Sequence, residues 1–124
     1  MANGRHAVEI RPDGTMILAH VPKCGMLYWM QKCVGGYIET LRICHFVVED
    51  TLMIVNEEGR IKGMELNPKA SAVVLENIYG PALIMKTGKV KNEDDIVGLT
   101  HTEGSMIIKE IDDIANMVKI LYKK

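Results

Sequence analysis

Aromatic residues are scarce in this chain, at 5% of 124 positions, with a single tryptophan and a single phenylalanine. Nine methionines stand in their place, so the core must be aliphatic, Met-rich and adaptable. An excess of charge of either sign is also missing: the net charge is −1. That excludes broad, nonspecific nucleic-acid binding, which needs a strong basic field, and leaves only a local basic patch open. No apolar run is long enough to span a bilayer, and the N-terminus lacks the apolar stretch of a signal peptide. The cysteines are only Cys24, Cys33 and Cys44. An odd, irregularly spaced set does not make a disulfide framework and points to a reducing compartment, so a cytoplasmic protein is expected. Internal repeats and low-complexity segments are absent. What is present is ordinary: 48% hydrophobic residues in a length that fits one domain with its own core.

Local patterns predict the elements. His6 to Arg11 alternates, Pro12-Asp13-Gly14 is a strong turn signal, and Thr15 to Val21 returns, which reads as a β-hairpin. Met26, Leu27, Met30, Cys33 and Val34 fall at helical spacing, and Gly35-Gly36 ends that helix. Tyr37 to Leu41 leads out extended. Arg42 to Val48 and Thr51 to Val55 read as strands, and Asn56-Glu57-Glu58-Gly59 as a tight reversal with Gly59 at a bulge. Arg60 to Met64 is expected to return as a strand. Asn67-Pro68 has the form of a helix N-cap followed by proline at N1, with the helix running to about Asn77. Ala82 to Thr87 is a strand and Gly88 to Asp95 a polar loop. Ile107, Ile111, Ile114, Val118 and Leu121 then recur at four-three spacing, widened by Ile108, Ala115 and Tyr122. This predicts a long C-terminal helix, capped by Ser105, with Lys119, Lys123 and Lys124 at its negative end. The expected fold class is α+β: a largely antiparallel sheet built from hairpins, packed by two or three helices.

Chemistry is harder to find. Cys24, Cys33, Cys44 and His45 are soft ligands, but their gaps are too long for the close pairs of a structural zinc site. His6, His20, His45 and His101 lie in no nucleophile motif, although His6 and His20 face each other across the first hairpin. Glu57-Glu58 is a paired carboxylate, as is the cluster Glu93-Asp94-Asp95, yet solvated turn charges explain both. The helix start at Asn67-Pro68 is the better anion site, because unpaired N–H groups point outward there and Arg60, Lys62 and Lys69 are near in sequence. Tyr28 and Trp29 on the first helix either pack in the core or line a pocket. The C-terminal stripe serves either the core or a two-fold helix pairing.

Three ordered motifs carry a resemblance: Val34-Gly35-Gly36-Tyr37-Ile38-Glu39, then Asn56 to Gly63 with Asn67, then Tyr79-Gly80-Pro81-Ala82-Leu83-Ile84. Together they are similar to a family of short proteins of unknown function from tailed phages, conjugative elements and their bacterial hosts. The similarity spans roughly residues 6 to 90, and the segment from Asn92 onward looks like a C-terminal helical extension of a single domain. The family's characteristic positions correspond here to Gly35, Gly36, Tyr37, Asn56, Glu57, Glu58, Gly59 and Asn67. The resemblance implies a small, non-enzymatic accessory protein that blunts host defence. It would do so by holding a nucleotide immune signal or by occupying a host protein.

The expectation is therefore a module that binds and sequesters a nucleotide-like small molecule in the host cytoplasm, as a homo-oligomer, with no cofactor, no metal and no catalytic residue. The candidate ligand-binding residues are Tyr37, Asn56, Glu57, Glu58, Arg60, Lys62, Asn67 and Lys69. Arginine and lysine would meet phosphate, while Asn56, Glu57 or Glu58 would take ribose hydroxyls or base donors. Two alternatives stand beside it: a protein–protein inhibitor of a host defence factor, and a nucleotide hydrolase using Glu57 or Glu58.

Overall fold

The computed structural model describes residues 4–122, with side chains as far as residue 118. Its elements run β1 (His6–Ile10), β2 (Met16–His20), α1 (Met26–Val34), β3 (Ile38–Arg42), β4 (Thr51–Asn56), α2 (Pro68–Val74), β5 (Ala82–Val90), β6 (Glu93–Val97) and α3 (His101–Tyr122). The six strands form one antiparallel sheet in the order β2-β1-β5-β4-β3, and β6 pairs with the outer half of β5. The α+β expectation holds.

Alternation along the strands divides the interior in two. Val8, Ile10, Met53, Val55, Ala82 and Ile84 face α2 and α3, meeting Val73, Ile107 and Ile111. Ala7, Leu52, Ile54, Leu83 and Met85 face the other way, against Met30 and Val34 of α1. With helices on both faces, β4 is buried at all six positions, which explains its unbroken apolar run. Each of these large side chains contributes about 1.5–3 kcal/mol on burial.

Turn chemistry sets the connections. In the first hairpin Gly14 takes φ 93° and donates to the Arg11 carbonyl, while Arg11 donates to Thr15, giving the three-residue loop with a glycine bulge. Helix α1 ends as expected: Gly35 is left-handed at φ 84°, and its N–H and that of Gly36 both reach the Gln31 carbonyl.

Several local readings are corrected. Residues 43–48 are not a strand. Ile43, Phe46 and Val48 turn inward to plug the core, and the Thr51 hydroxyl holds the loop by donating to the Ile43 and Val48 carbonyls. Their apolar spacing reflects burial, not pairing. Residues 60–64 do not return as a strand either. The chain coils, with the N–H of Lys62 on the Glu58 carbonyl and that of Met64 on Gly59, and leaves Ile61 84% exposed. Gly59 has no positive φ, so it is not a bulge residue. The polar stretch 88–95 is instead the β5–β6 hairpin, closed by Lys91 and Asn92 at φ 53° and 67°. Two left-handed residues in a two-residue loop fit the twist of a hairpin, but Lys-Asn lacks the glycine that normally advertises it. Finally, α3 starts a turn earlier than Ser105. Thr100 and Glu103 form a reciprocal capping box: Thr100 Oγ1 accepts the Glu103 N–H at 3.1 Å, and Glu103 Oε1 accepts the Thr100 N–H at 2.9 Å.

Helix α2 stops at Val74, with Leu75 left-handed at φ 59°, rather than at Asn77. The α3 stripe is used by the core: Ile107 and Ile111 are fully buried and Ile114 packs beside them. The side chains of Lys119, Leu121 and Tyr122, and residues Lys123 and Lys124, lie outside the described part.

Candidate functional site

Strand β3, the end of β4 with the turn after it, and the segment leaving α2 enclose a cleft of about 330 Å³. Glu39 enters from β3, opposite Val55 in the sheet register. Asn56, Glu57, Gly59 and Arg60 form one wall, and Glu76, Asn77 and Tyr79 the other, above a floor of Leu41, Val55 and Ile78. The walls meet because Gly59 has no side chain: a Cβ there would fall 2.4 Å from the Tyr79 carbonyl oxygen. Three carboxylates face one guanidinium, so the cleft is acidic.

Asn56 fixes this geometry from below. It is buried; its Nδ2 donates to the Val34 carbonyl at 3.1 Å and its Oδ1 accepts the Glu58 N–H at 2.7 Å. It thereby ties the C-terminus of α1 to the turn carrying Glu57 and Arg60. Both polar ends of its amide are engaged, so it positions the wall. Tyr37 contributes through its backbone, accepting the Glu57 N–H at 2.9 Å, while its side chain is 71% exposed outside the cleft. Glu58 points to solvent next to the turn. Lys62 lies over the glycine pair: a Cβ on Gly36 would sit 2.8 Å from Lys62 Nζ and 2.9 Å from Asn56 Nδ2.

Asn67 and Lys69 are elsewhere. Asn67 is fully buried; its Nδ2 donates to the carbonyls of Ile10 and Gly80, both at 2.9 Å, and its Oδ1 accepts the Ala70 N–H. Lys69 donates to the Gly14 carbonyl at 2.8 Å and pairs with Asp112 at 3.2 Å. The cations near in sequence thus separate: Arg60 lines the cleft, Lys62 covers Gly36, and Lys69 bridges the first hairpin to α3. The start of α2 is a closed structural joint. Sequence reasoning brought forward Asn56, Glu57 and Arg60 and passed over Glu39, Glu76, Asn77 and Tyr79. Glu39 and Tyr79 both stood within the recognised motifs; Glu76 and Asn77 had no local signal.

Other chemistry is less well assembled. Among the described residues no group of three or more His, Cys, Asp or Glu is arranged to hold a metal ion. His6 stacks on His20 with centroids 4.9 Å apart and meets His101 edge-on at 5.5 Å, and its buried Nδ1 has no partner. Burial, and secondarily the Glu9 carboxylate, pushes the Cys33 thiol above its ordinary pKa, away from the reactive thiolate. His45 donates a ring N–H to the Val73 carbonyl at 2.8 Å.

A family model described as a domain of unknown function, DUF3846, matches residues 5–117. The chain belongs to the DUF3846 family. The match continues through most of α3. No curated protein matches this DUF3846 chain significantly. Among solved structures, the crystal structure of the small RNA methyltransferase HEN1 is similar in fold, with a TM-score of 0.54 and 14% identity over 87% of this chain. The chain corresponds to only 16% of that protein's length. At such identity the likeness concerns the fold alone. No helix among the described residues is long and apolar enough to cross a membrane.

Proposed function

We propose that this DUF3846 protein is a non-enzymatic accessory protein of a phage or mobile element, which binds and sequesters a nucleotide-like small molecule in the cleft and so counters a host defence. One observation carries the reading. Residues from all three recognised motifs, distant in sequence, converge on one cavity: Glu39 from the first, Asn56, Glu57, Gly59 and Arg60 from the second, and Tyr79 from the third. The volume of about 330 Å³ lies at the small end of ligand pockets. Glu39, Glu57 and Glu76 accept hydrogen bonds from ribose hydroxyls and amino groups, Asn77 both donates and accepts, and Arg60 meets a phosphate. Three acceptors against one cation favour a donor-rich ligand bearing little phosphate.

Native mass spectrometry with nucleosides, linear and cyclic nucleotides and ADP-ribose derivatives tests this. The expected result is a retained, unaltered ligand, lost in Arg60→Ala and in Glu57→Gln. A ligand converted to a new mass would establish the hydrolase instead, and absence of binding across the panel removes the reading. The reading includes self-association, for which α3 leaves Met106 and Met117 exposed; a single monomer boundary in sedimentation velocity would refute that part.

A second reading, occupation of a host defence protein, is favoured by α1. Its Leu27 and Tyr28 are 54% and 67% exposed, and a solvent-facing aromatic beside an aliphatic residue is typical of interface anchors. A stoichiometric host partner lost in Tyr28→Ala would support it.

A further inference from the structure

A second recess lies on the opposite face of the sheet. Two neighbouring depressions, of about 490 and 370 Å³, share a wall made by Arg5, Val21, Pro22 and Lys23. One contains the side of Trp29 and of His20; the other runs toward Asp95 on β6. Val21 and Trp29 belong to the core layer under α1, whereas the floor of the acidic cleft belongs to the layer under α2 and α3. The two sites are therefore separated by the sheet.

Their charges are opposite in sense. Arg5 and Lys23 are both exposed, and neither is in an ion pair among the described residues, which is equally true of Lys32, Arg42, Arg60, Lys62 and Lys91; what sets Arg5 and Lys23 apart is that they share one recess with Trp29. The one carboxylate lining the recess is Asp95, whose Oδ1 accepts the N–H of Ile96. Trp29 is the only tryptophan of the chain, and it is half-buried with a face left to the recess. An indole beside two cations that have no ion-pair partner among the described residues suits one ligand chemistry: the ring offers a stacking surface and the cations bind an anionic group attached to what stacks.

We propose that the Arg5–Lys23–Trp29 recess is a binding site for a planar aromatic anion, a free mononucleotide being its simplest form. The ring lies against Trp29 beside Pro22, and the phosphate is held by the Arg5 guanidinium and the Lys23 ammonium. The net charge of −1 gives no broad basic field for a nucleic-acid strand to follow, which favours a small free ligand as the occupant. The site stands independently of the acidic cleft and survives or fails separately from it.

The test is a titration of Trp29 emission with AMP, backed by equilibrium dialysis in case the bound ring leaves emission unchanged. Adenosine supplies the ring without the charge, inorganic phosphate the charge without the ring, and a single-stranded adenine hexanucleotide the same groups in a strand. Saturable AMP binding is expected, with adenosine and phosphate at least about tenfold weaker, since each loses one class of contact. The double variant Arg5→Gln, Lys23→Gln should raise the AMP half-saturation by about tenfold or more at an unchanged melting temperature. Arg60→Gln, in the acidic cleft, should leave the titration as it was. No saturable AMP binding by either method overturns the proposal. So does equal affinity for adenosine, or a double variant that titrates like the parent. Loss of binding in Arg60→Gln would move the ligand to the cleft, and binding of the hexanucleotide without AMP would make the occupant a strand; either outcome also refutes it.

Discussion

Two asparagines from the motif region were candidates to touch a ligand, and each has its amide taken up by the fold. Asn56 joins α1 to the turn beyond β4 through the Val34 carbonyl and the Glu58 N–H. Asn67 caps α2 and also ties it to β1 and to the start of β5 through Ile10 and Gly80. Removing a buried partner leaves the desolvation penalty of the groups it satisfied. Asn56→Ala is therefore expected to lower stability by about 2 kcal/mol, and Asn67→Ala, which abandons two carbonyls and a helix N–H, by about 3 kcal/mol or more. Urea denaturation of the two variants checks both the size and the order. Asn67→Asp should rescue little: it restores the acceptor for Ala70 but sets a carboxylate oxygen against the carbonyls that the amide had satisfied. The capping role was legible in Asn67-Pro68 because a cap is a local signal. The bonds to Ile10 and Gly80 were not, since their partners lie 57 and 13 residues away.

Among the elements, α3 shows where pattern and chemistry part. Its isoleucine stripe was readable, because burial on one side of a helix imposes the spacing. Its start was misplaced because Ser105 is a good cap type, while Thr100-His101-Thr102-Glu103 also fits and sits against the sheet. Glu103 adds a charge to the box. Burial alone would raise its pKa, but the Thr100 N–H and the Lys86 ammonium outweigh that and hold the carboxyl below its ordinary value. Both Glu103 oxygens lie 2.9 Å from Lys86 Nζ. The unfolded chain therefore takes up this proton at higher pH than the folded one, and protonation favours unfolding. The stabilisation is complete above the unfolded-state pKa and is lost as pH falls through the lower folded one. The difference in melting temperature between the parent and Glu103→Gln should be largest near about pH 7 and shrink below about pH 4. A difference that stays constant over that range would remove Glu103 from the account. The β5–β6 hairpin was missed for another reason. Its outer half is exposed, so apart from Val90 its residues are polar or glycine on both faces and give no alternation, and Lys89 with Asp94 supplies the cross-strand pair at 2.8 Å.

At the scale of the whole molecule, the sequence specified which segments are apolar but not which neighbours they take. β1 lies beside β5 and β4 on the far side of β5, so that Ile84 pairs with Val8 near the start of the chain on one side and with Met53 on the other. The cleft is a product of that topology. Its walls come from the turn after β4 and the segment before β5, pressed together where Gly59 meets the Tyr79 carbonyl. The neighbour is backbone, so it cannot rotate away as a side chain would. Gly59→Ala must displace one wall and is expected to destabilise the protein by about 1–3 kcal/mol. It should also weaken any ligand of the acidic cleft while leaving Trp29 emission as in the parent, because the tryptophan lies across the sheet in the other core layer. Amide chemical shifts measured on the variant decide this. Changes confined to β3, residues 56–64 and residues 76–80 are the expected pattern. Changes spreading through α1 to Trp29 would mean that the two faces are coupled, and that one fold is not carrying two separate sites.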